Sequence, residues 1–537
     1  MSSITEDRRP LGVEPFWTDR RLEQAIWAFV ALGVVLRVGR SLMNYPLWWD
    51  EAFLAVNFIK RGYVDLLRPL DYGQVCPILF LWAERSIVTL LGFSEWSLRL
   101  VPLFCAAASV LLFRSFAGRV VRGIPWLLAV AVFAVSFHPI RHAADVKPYA
   151  SDLLAALVLL TLAVNWRRAP ERTRWMWALA SVAPVTIALS HPAVFVAGGV
   201  GLGLAPAVWK TMHFYVWMAY IAFGLGALGS FAALYLFFTR AQSAATLGPM
   251  QAQWGAAFPP RGSLLALGKW LATVHTGGMF AYPCGGERGA SGLTLLLFLI
   301  GAGALWRRGR RTIVLLCLAP FALALLAAAL RRYPYGGVAH GSPARVMQYL
   351  APGICLLVGF GASVVLEWVS DLRRRRRLLR WGLAALALIG IVPLVVDAVH
   401  PFRAVHARQA RAFAREFWPK FDRDAEPVCL RWDLGLGAWD STNLNVAVYL
   451  CNQQIYAPSR RRTVPPRAVS SRHPLRCVLS LMDPSDRRVV AWLEEMKADF
   501  DMKERRTLDV NMSGPGAAAR FERYVVYEFA PKDGPPD

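Results

Sequence analysis

The chain alternates long apolar runs with short joints rich in arginine. A helix needs about 17–25 residues to cross a bilayer, and apolar runs recur near 22–40, 98–117, 123–139, 150–166, 175–190, 193–209, 214–238, 291–306, 311–330, 347–369 and 381–399. The pattern predicts about eleven transmembrane helices. After residue 400 it changes. Short stretches such as PVCLRW, LRCVLSL and RYVVYEF mix apolar and polar positions as strands do, while VVAWLEEMKADF has helical spacing. Residues 400–537 are therefore expected to form a small soluble α/β domain.

One segment sets the topology. Residues 77–92 (PILFLWAERSIVTLLG) are apolar but short, and Glu84 and Arg85 sit at their middle. Adjacent residues point to different parts of a helix surface, so the two charges do not readily neutralise each other. Each would cost roughly 2.5–3.5 kcal/mol at the bilayer centre, whereas a helix lying at the interface carries them at little cost. With 77–92 interfacial and residues 1–21 cytoplasmic, Arg119 and Arg122, Arg167 to Arg174, Arg307 to Arg311, and the run Arg373 to Arg377 all fall on the cytoplasmic side. The positive-inside bias favours that arrangement. Residues 22–399 are then the membrane domain. The first loop (42–97), a short second loop (138–149), the stretches 239–290 and 331–346, and the domain 400–537 lie outside.

Composition agrees. Of the 537 residues 56% are hydrophobic, more apolar surface than one soluble core hides. The net charge of +24 invites a nucleic-acid reading, but the basic residues cluster between apolar runs, as topology signals do. The first run follows Arg8, Arg9, Arg20 and Arg21 without an A-x-A site after it, so it is expected to remain as an anchor. Cys105, Cys317 and Cys355 read as small core residues. Cys429, Cys451 and Cys477 lie in the tail, where a disulfide is open and its connectivity unreadable.

Candidate chemistry gathers in the loops. The first opens with YPLWWDEAFLA, where Asp50 and Glu51 adjoin Trp48, Trp49 and Phe53. This is either an aromatic belt with charges facing water or a carboxylate at the mouth of a cavity, acting as a base on an acceptor hydroxyl. The second loop reads HPIRHAADVKPYASDLL, placing Asp145, Lys147 and Tyr149 close together after Arg141 and His142. Such a set suits a phosphate or a sugar, or is simply a polar helix start. His191 in SHPAVF sits at a hairpin between spans and reads equally as a helix-terminus residue. RRYPYGGVAHGSPARVMQYLAP carries Arg331, Arg332, Tyr333, Tyr335, His340, Arg345 and Tyr349 on the side where positive charge is normally depleted. A phosphate or diphosphate site accounts for those arginines, as do anionic headgroups. No Walker A loop, G-x-S-x-G elbow or HExxH motif accompanies them, so an activated substrate is expected to arrive through the membrane as a lipid.

WWDEAF after the first span, GFSEWSLRL before the second and DVKPYASDLL before the fourth resemble bacterial GT-C glycosyltransferases. The sequence is most similar to the protein O-mannosyltransferase, aminoarabinose-transferase and lipopolysaccharide core transferase (Rgt-like) group, well over roughly the first 200 residues and by topology beyond. The resemblance implies a polyprenyl- or dolichyl-phosphate sugar donor, a bacterial inner-membrane location and inversion at the anomeric carbon. It makes Asp50 the general base, Glu51 its neighbour and Asp145 the second-loop acid, where Glu is common in the family. It also makes Lys147 a partner of the donor phosphate, with Tyr149, His191, Arg345 and Tyr349 as further binding residues.

The sequence thus reads as an all-α polytopic GT-C-like protein with a C-terminal extracytoplasmic α/β domain. Its expected activity is hexosyl or pentosyl transfer to a glycan, lipid or protein outside the cytoplasm. No cofactor is required by the motifs, though Asp50 leaves room for a divalent metal. Two other readings remain: a flippase for lipid-linked sugars, which would place ionisable residues at mid-membrane in broken helices, and a non-catalytic envelope assembly protein, which would tolerate loss of Asp50.

Overall fold

Every apolar run expected to span folds as helix in the computed structural model. It describes residues 18–211, 213–244, 254–285, 290–336 and 345–399, and in the tail 408, 411–412, 414–415, 428–431, 441–456, 475–481, 487–511 and 521–532. The helices are α1 (Asp19–Leu42), α2 (Trp49–Ala55), α3 (Asn57–Lys60), α4 (Ile78–Leu91), α5 (Leu100–Val120), α6 (Ile124–Ala134), α7 (Phe137–Arg141), α8 (Tyr149–Arg168), α9 (Arg174–Leu189) and α10 (Ala193–Thr211). They continue with α11 (Phe214–Leu234), α12 (Arg240–Ala244), α13 (Leu264–Thr276), α14 (Ala290–Arg307), α15 (Arg311–Ala329), α16 (Ala351–Glu367), α17 (Leu372–Val399), α18 (Ser441–Tyr456) and α19 (Arg487–Asp499). Among the described residues eight helices are long and apolar enough to cross a membrane, with a ninth if the bent pair α6–α7 is one span. The segments expected at 175–190 and 291–306 are helices too, but shorter. The protein is an integral, multi-pass membrane protein.

The chain divides into two units. The first comprises residues 1–43, 63–86 and 99–399; the second comprises 44–62, 87–98 and 400–537. In the first unit helices approach closely where glycine permits. A Cβ on Gly361 of α16 would lie 1.9 Å from the Leu297 carbonyl oxygen of α14, and one on Gly301 of α14 would lie 2.0 Å from that of Leu357. Only glycine fits at either position, as at small-residue crossings of membrane helices.

The expected span at 123–139 is broken. Its two halves meet at a bend of 47°. The Phe137 N–H, which a continuous helix would give to the Phe133 carbonyl, goes instead to the Pro283 carbonyl (2.9 Å), and Pro139 has no N–H to give. The guanidinium of Arg37 from α1 meets carbonyls at the break and one of its own helix. Its Nη1 donates to Ala134 (2.9 Å) and Gly33 (2.8 Å), and Nη2 to Phe133 (3.5 Å). Arg37 is 0% exposed. One turn later Arg40 pairs with Asp397 of α17.

Helix α4 covers the segment expected to lie at the interface. Along it Glu84 is 0% exposed and Arg85 half-buried. The carboxyl is buried in protein, a distinction hydropathy does not carry.

In the second unit four strands, β1 (Val428–Arg431), β2 (Leu475–Leu481), β3 (Phe500–Asn511) and β4 (Phe521–Pro531), form a sheet ordered β1-β2-β4-β3. β1 and β2 are parallel and the other pairs antiparallel. Val525, Tyr527 and Phe529 alternate inward along β4, and Trp492 of α19 packs edge-on against the two rings. The sequence signalled β1, β2, β4 and α19 but not β3, whose KERRT stretch carries charge at successive positions. β3 lies at the sheet edge, where charged side chains discourage further strand pairing. Cys451 is a buried free thiol, while the side chains of Cys429 and Cys477 lie outside the described residues.

Candidate active site

The second-loop motif closes on itself before α8 begins. A short turn, His142–Ala144, follows α7, and the His142 Nδ1 lies 2.7 Å from Asp145 Oδ2, with both side chains almost wholly buried. The backbone then extends at Asp145, and Pro148 caps α8 with its fixed φ suited to a helix start. Between them Lys147, 7% exposed, donates from Nζ to Gln74 Oε1 (2.6 Å). That contact ties the second loop to the segment preceding α4.

The same segment is fixed at Cys76. Its N–H donates to Gln242 Oε1 (3.2 Å), and the His191 ring hydrogen-bonds to its backbone. Burial lowers the His191 imidazole from 6.5 to about 4, so the ring is neutral at ordinary pH. Burial also raises the Cys76 thiol well above its usual range, which makes it a poor nucleophile. Around this thiol gather the charges of Lys147, Asp152 and Glu84. Burial pushes Glu84 well above the carboxylate range.

The late loop meets the second at Tyr149. Arg345 lies over the rings of Trp254 (5.3 Å) and Tyr149 (6.0 Å), and Gln348 Nε2 donates to the Tyr149 carbonyl (3.4 Å). Tyr349 is buried, its hydroxyl 3.7 Å from Met347 Sδ. Tyr333 donates to the Val346 carbonyl (2.8 Å), and Tyr335 bonds His275 Nε2 (3.1 Å). Arg331 stacks on Phe258 and Arg332 is exposed, so these two stand apart from the Tyr149 group. His340 lies outside the described residues.

Arg345 thus reaches the second loop at Tyr149, two residues from Lys147, and cations of this kind suit a phosphate. The sequence missed Gln74, Cys76, Glu84, Asp152, Ser190, Gln242 and Gln348 as parts of this cluster. Asp152 had a readable signal: a carboxylate one turn into an apolar helix.

Asp50 and Glu51 belong to the second unit. They occupy the first turn of α2. Glu51, 1% exposed, accepts from the Trp48 N–H (3.3 Å) and so caps its own helix, while Asp50 is half-buried. Helix α2 lies against α18, with Cys451 Sγ 3.8 Å from the Ala52 carbonyl oxygen. Glu95 receives Arg411 through Nε (3.1 Å) and Nη2 (2.9 Å). Among the described residues no three His, Cys, Asp or Glu side chains converge as a metal site would require.

No protein-family model matches the chain, and no curated protein does. Among solved structures its fold is that of ArnT from Cupriavidus metallidurans. The form bound to undecaprenyl phosphate is 12% identical with a TM-score of 0.52, covering 95% of this chain and 99% of that one. The apo form is 13% identical with a TM-score of 0.53, covering 96% and 99%. A weaker likeness, with a TM-score of 0.46 and 11% identity over 81% of this chain and 64% of that one, is to the Archaeoglobus fulgidus oligosaccharyltransferase tethered to an acceptor peptide. It adds nothing to the fold. The fold is GT-C-like.

Proposed function

We propose that this chain is a glycosyltransferase that moves a sugar from a polyprenyl-phosphate carrier to an acceptor outside the cytoplasm. The observation that carries the reading is the contact of Arg345, from the late loop, with Tyr149 of the second loop, two residues from Lys147, in a fold shared with a protein solved on undecaprenyl phosphate. A lipid phosphate is an anion that can reach both cations without leaving the membrane.

In the proposed reaction the acceptor hydroxyl oxygen bonds to the anomeric carbon as the bond from that carbon to the phosphate oxygen breaks. The phosphate leaves with the electron pair, and Lys147 and Arg345 offset its growing charge. The hydroxyl proton passes to the Asp50 carboxylate. That role for Asp50 rests on its match to the family's first-loop motif. His142 holds Asp145 in place, and Glu51 supports α2 rather than the chemistry. The arginine clusters support a cytoplasmic N-terminus and an external C-terminal domain.

The test is a labelled polyprenyl-phosphate sugar incubated in detergent with purified protein and envelope extract. Label should move to a new product while free polyprenyl phosphate accumulates. A donor that stays intact across a panel of sugars overturns the reading.

A further inference from the structure

Glu84 and Asp152 have no part in the reaction above, yet both are buried with oxygens left unmet. Glu84 is 0% exposed and neither carboxyl oxygen has a hydrogen-bond partner. Asp152 is 5% exposed. It is engaged by the Ser190 side chain, and its Oδ1 is unpartnered. His191 adds a third unmet atom: its ring bonds the Cys76 backbone and leaves Nε2 without a partner. The three converge. Glu84 and Asp152 lie within electrostatic reach of both Cys76 and Cys105, and His191 holds the backbone of that same Cys76.

A buried polar group without a partner costs roughly 1–3 kcal/mol, so a cluster of them is kept where something else completes it. A protonated carboxyl both donates through its O–H and accepts, and the bare nitrogen of a neutral imidazole accepts, so the missing partner is a compact group that donates and accepts several hydrogen bonds. It must also fit beside Lys147, which already faces the proposed phosphate. Adjacent hydroxyls on a sugar ring meet both demands.

We propose that Glu84, Asp152 and His191 form the subsite that holds the hydroxyl groups of the donor's sugar. The proposal rests on the glycosyltransferase reading. It divides the labour within the first unit: Lys147 and Arg345 hold the lipid phosphate, which any donor shares, and the buried polar groups read the sugar. A hydroxyl that leaves one of these groups unmet is rejected strongly, because the cost falls on the site.

The experiment compares equilibrium binding of bare polyprenyl phosphate with that of polyprenyl-phosphate glucose, mannose and arabinose, in wild type, Glu84→Leu and Asp152→Leu. In wild type at least one sugar lipid should bind about tenfold or more tighter than the bare lipid, the size of one or two good hydrogen bonds. Both variants should lose that increment and keep bare-lipid affinity within about twofold. Glu84→Leu should also melt higher than wild type, since it removes an unmet carboxyl. Variants that retain the sugar increment overturn the proposal. So do variants that lose bare-lipid binding, which would make the residues structural, and so does a wild type with no increment for any of the three sugars. Failure of wild type to bind bare polyprenyl phosphate at all would instead overturn the glycosyltransferase reading beneath it.

Discussion

Arg37 and Glu84 are both fully buried, and they differ in how they are met. The guanidinium lies where α6 breaks from α7 and donates to three carbonyls, so it completes the backbone around it. The carboxyl oxygens of Glu84 have no hydrogen-bond partner among the described residues. Intramembrane polar groups generally either satisfy broken helices or serve substrates; Arg37 does the first, and the second is what we propose for Glu84. The contrast teaches that burial alone does not separate structure from function; the tally of hydrogen bonds does.

The contrast breaks first at Arg37. Arg37→Met leaves the Ala134 carbonyl without a donor and removes a second donor from Phe133 and Gly33, so roughly 1–3 kcal/mol of stability should vanish. Thermal unfolding in detergent would show it as a large drop in midpoint with no separate effect on lipid affinity. An unchanged midpoint would mean that the bend needs no such brace.

Next come the phosphate cations. Lys147→Met and Arg345→Met should each weaken polyprenyl phosphate binding about tenfold to a hundredfold, from charge-assisted bonds of roughly 1.5–3 kcal/mol, with little change in midpoint. Equal losses for an uncharged polyprenol would show that packing, not charge, had been removed.

Smallest is the effect of His191. Its folded-state value of about 4 lies below the ordinary 6.5, so between these the unfolded chain binds more protons. Stability should fall as pH drops through that window and hold above it. His191→Asn, which keeps a donor for the Cys76 backbone, should flatten the dependence of midpoint on pH between 6.5 and 4. A variant as acid-sensitive as wild type would place the titration elsewhere.

How much of this was legible follows the physics of each signal. The spans were readable because lipid demands long apolar runs, and three strands because their faces alternate. The break at Ser136 was not, because it depends on Arg37 and Pro283 arriving from other parts of the chain. The motif residues Asp145, Lys147, Tyr149 and Arg345 were visible as chemistry out of place, and the structure sets Arg345 over the Tyr149 ring. Glu84 was seen as a topology signal and nothing more, since a sequence shows a charge but not whether protein, lipid or water surrounds it. Gln74 and Cys76 carried no signal at all. They matter through their neighbours, His191, Gln242 and Lys147.

The central claim is that this chain breaks the bond between a sugar and a polyprenyl phosphate, with Asp50 taking the acceptor's proton. Transfer from a labelled polyprenyl-phosphate sugar in liposomes, compared among wild type, Asp50→Asn and Glu51→Gln at equal folded amounts, tests it most directly. Asp50→Asn should be slower by about a hundredfold or more, the usual cost of losing a general base, while its affinity for the lipid stays. Glu51→Gln, altered only at a helix cap, should keep most of its rate. Full activity in Asp50→Asn would contradict the account.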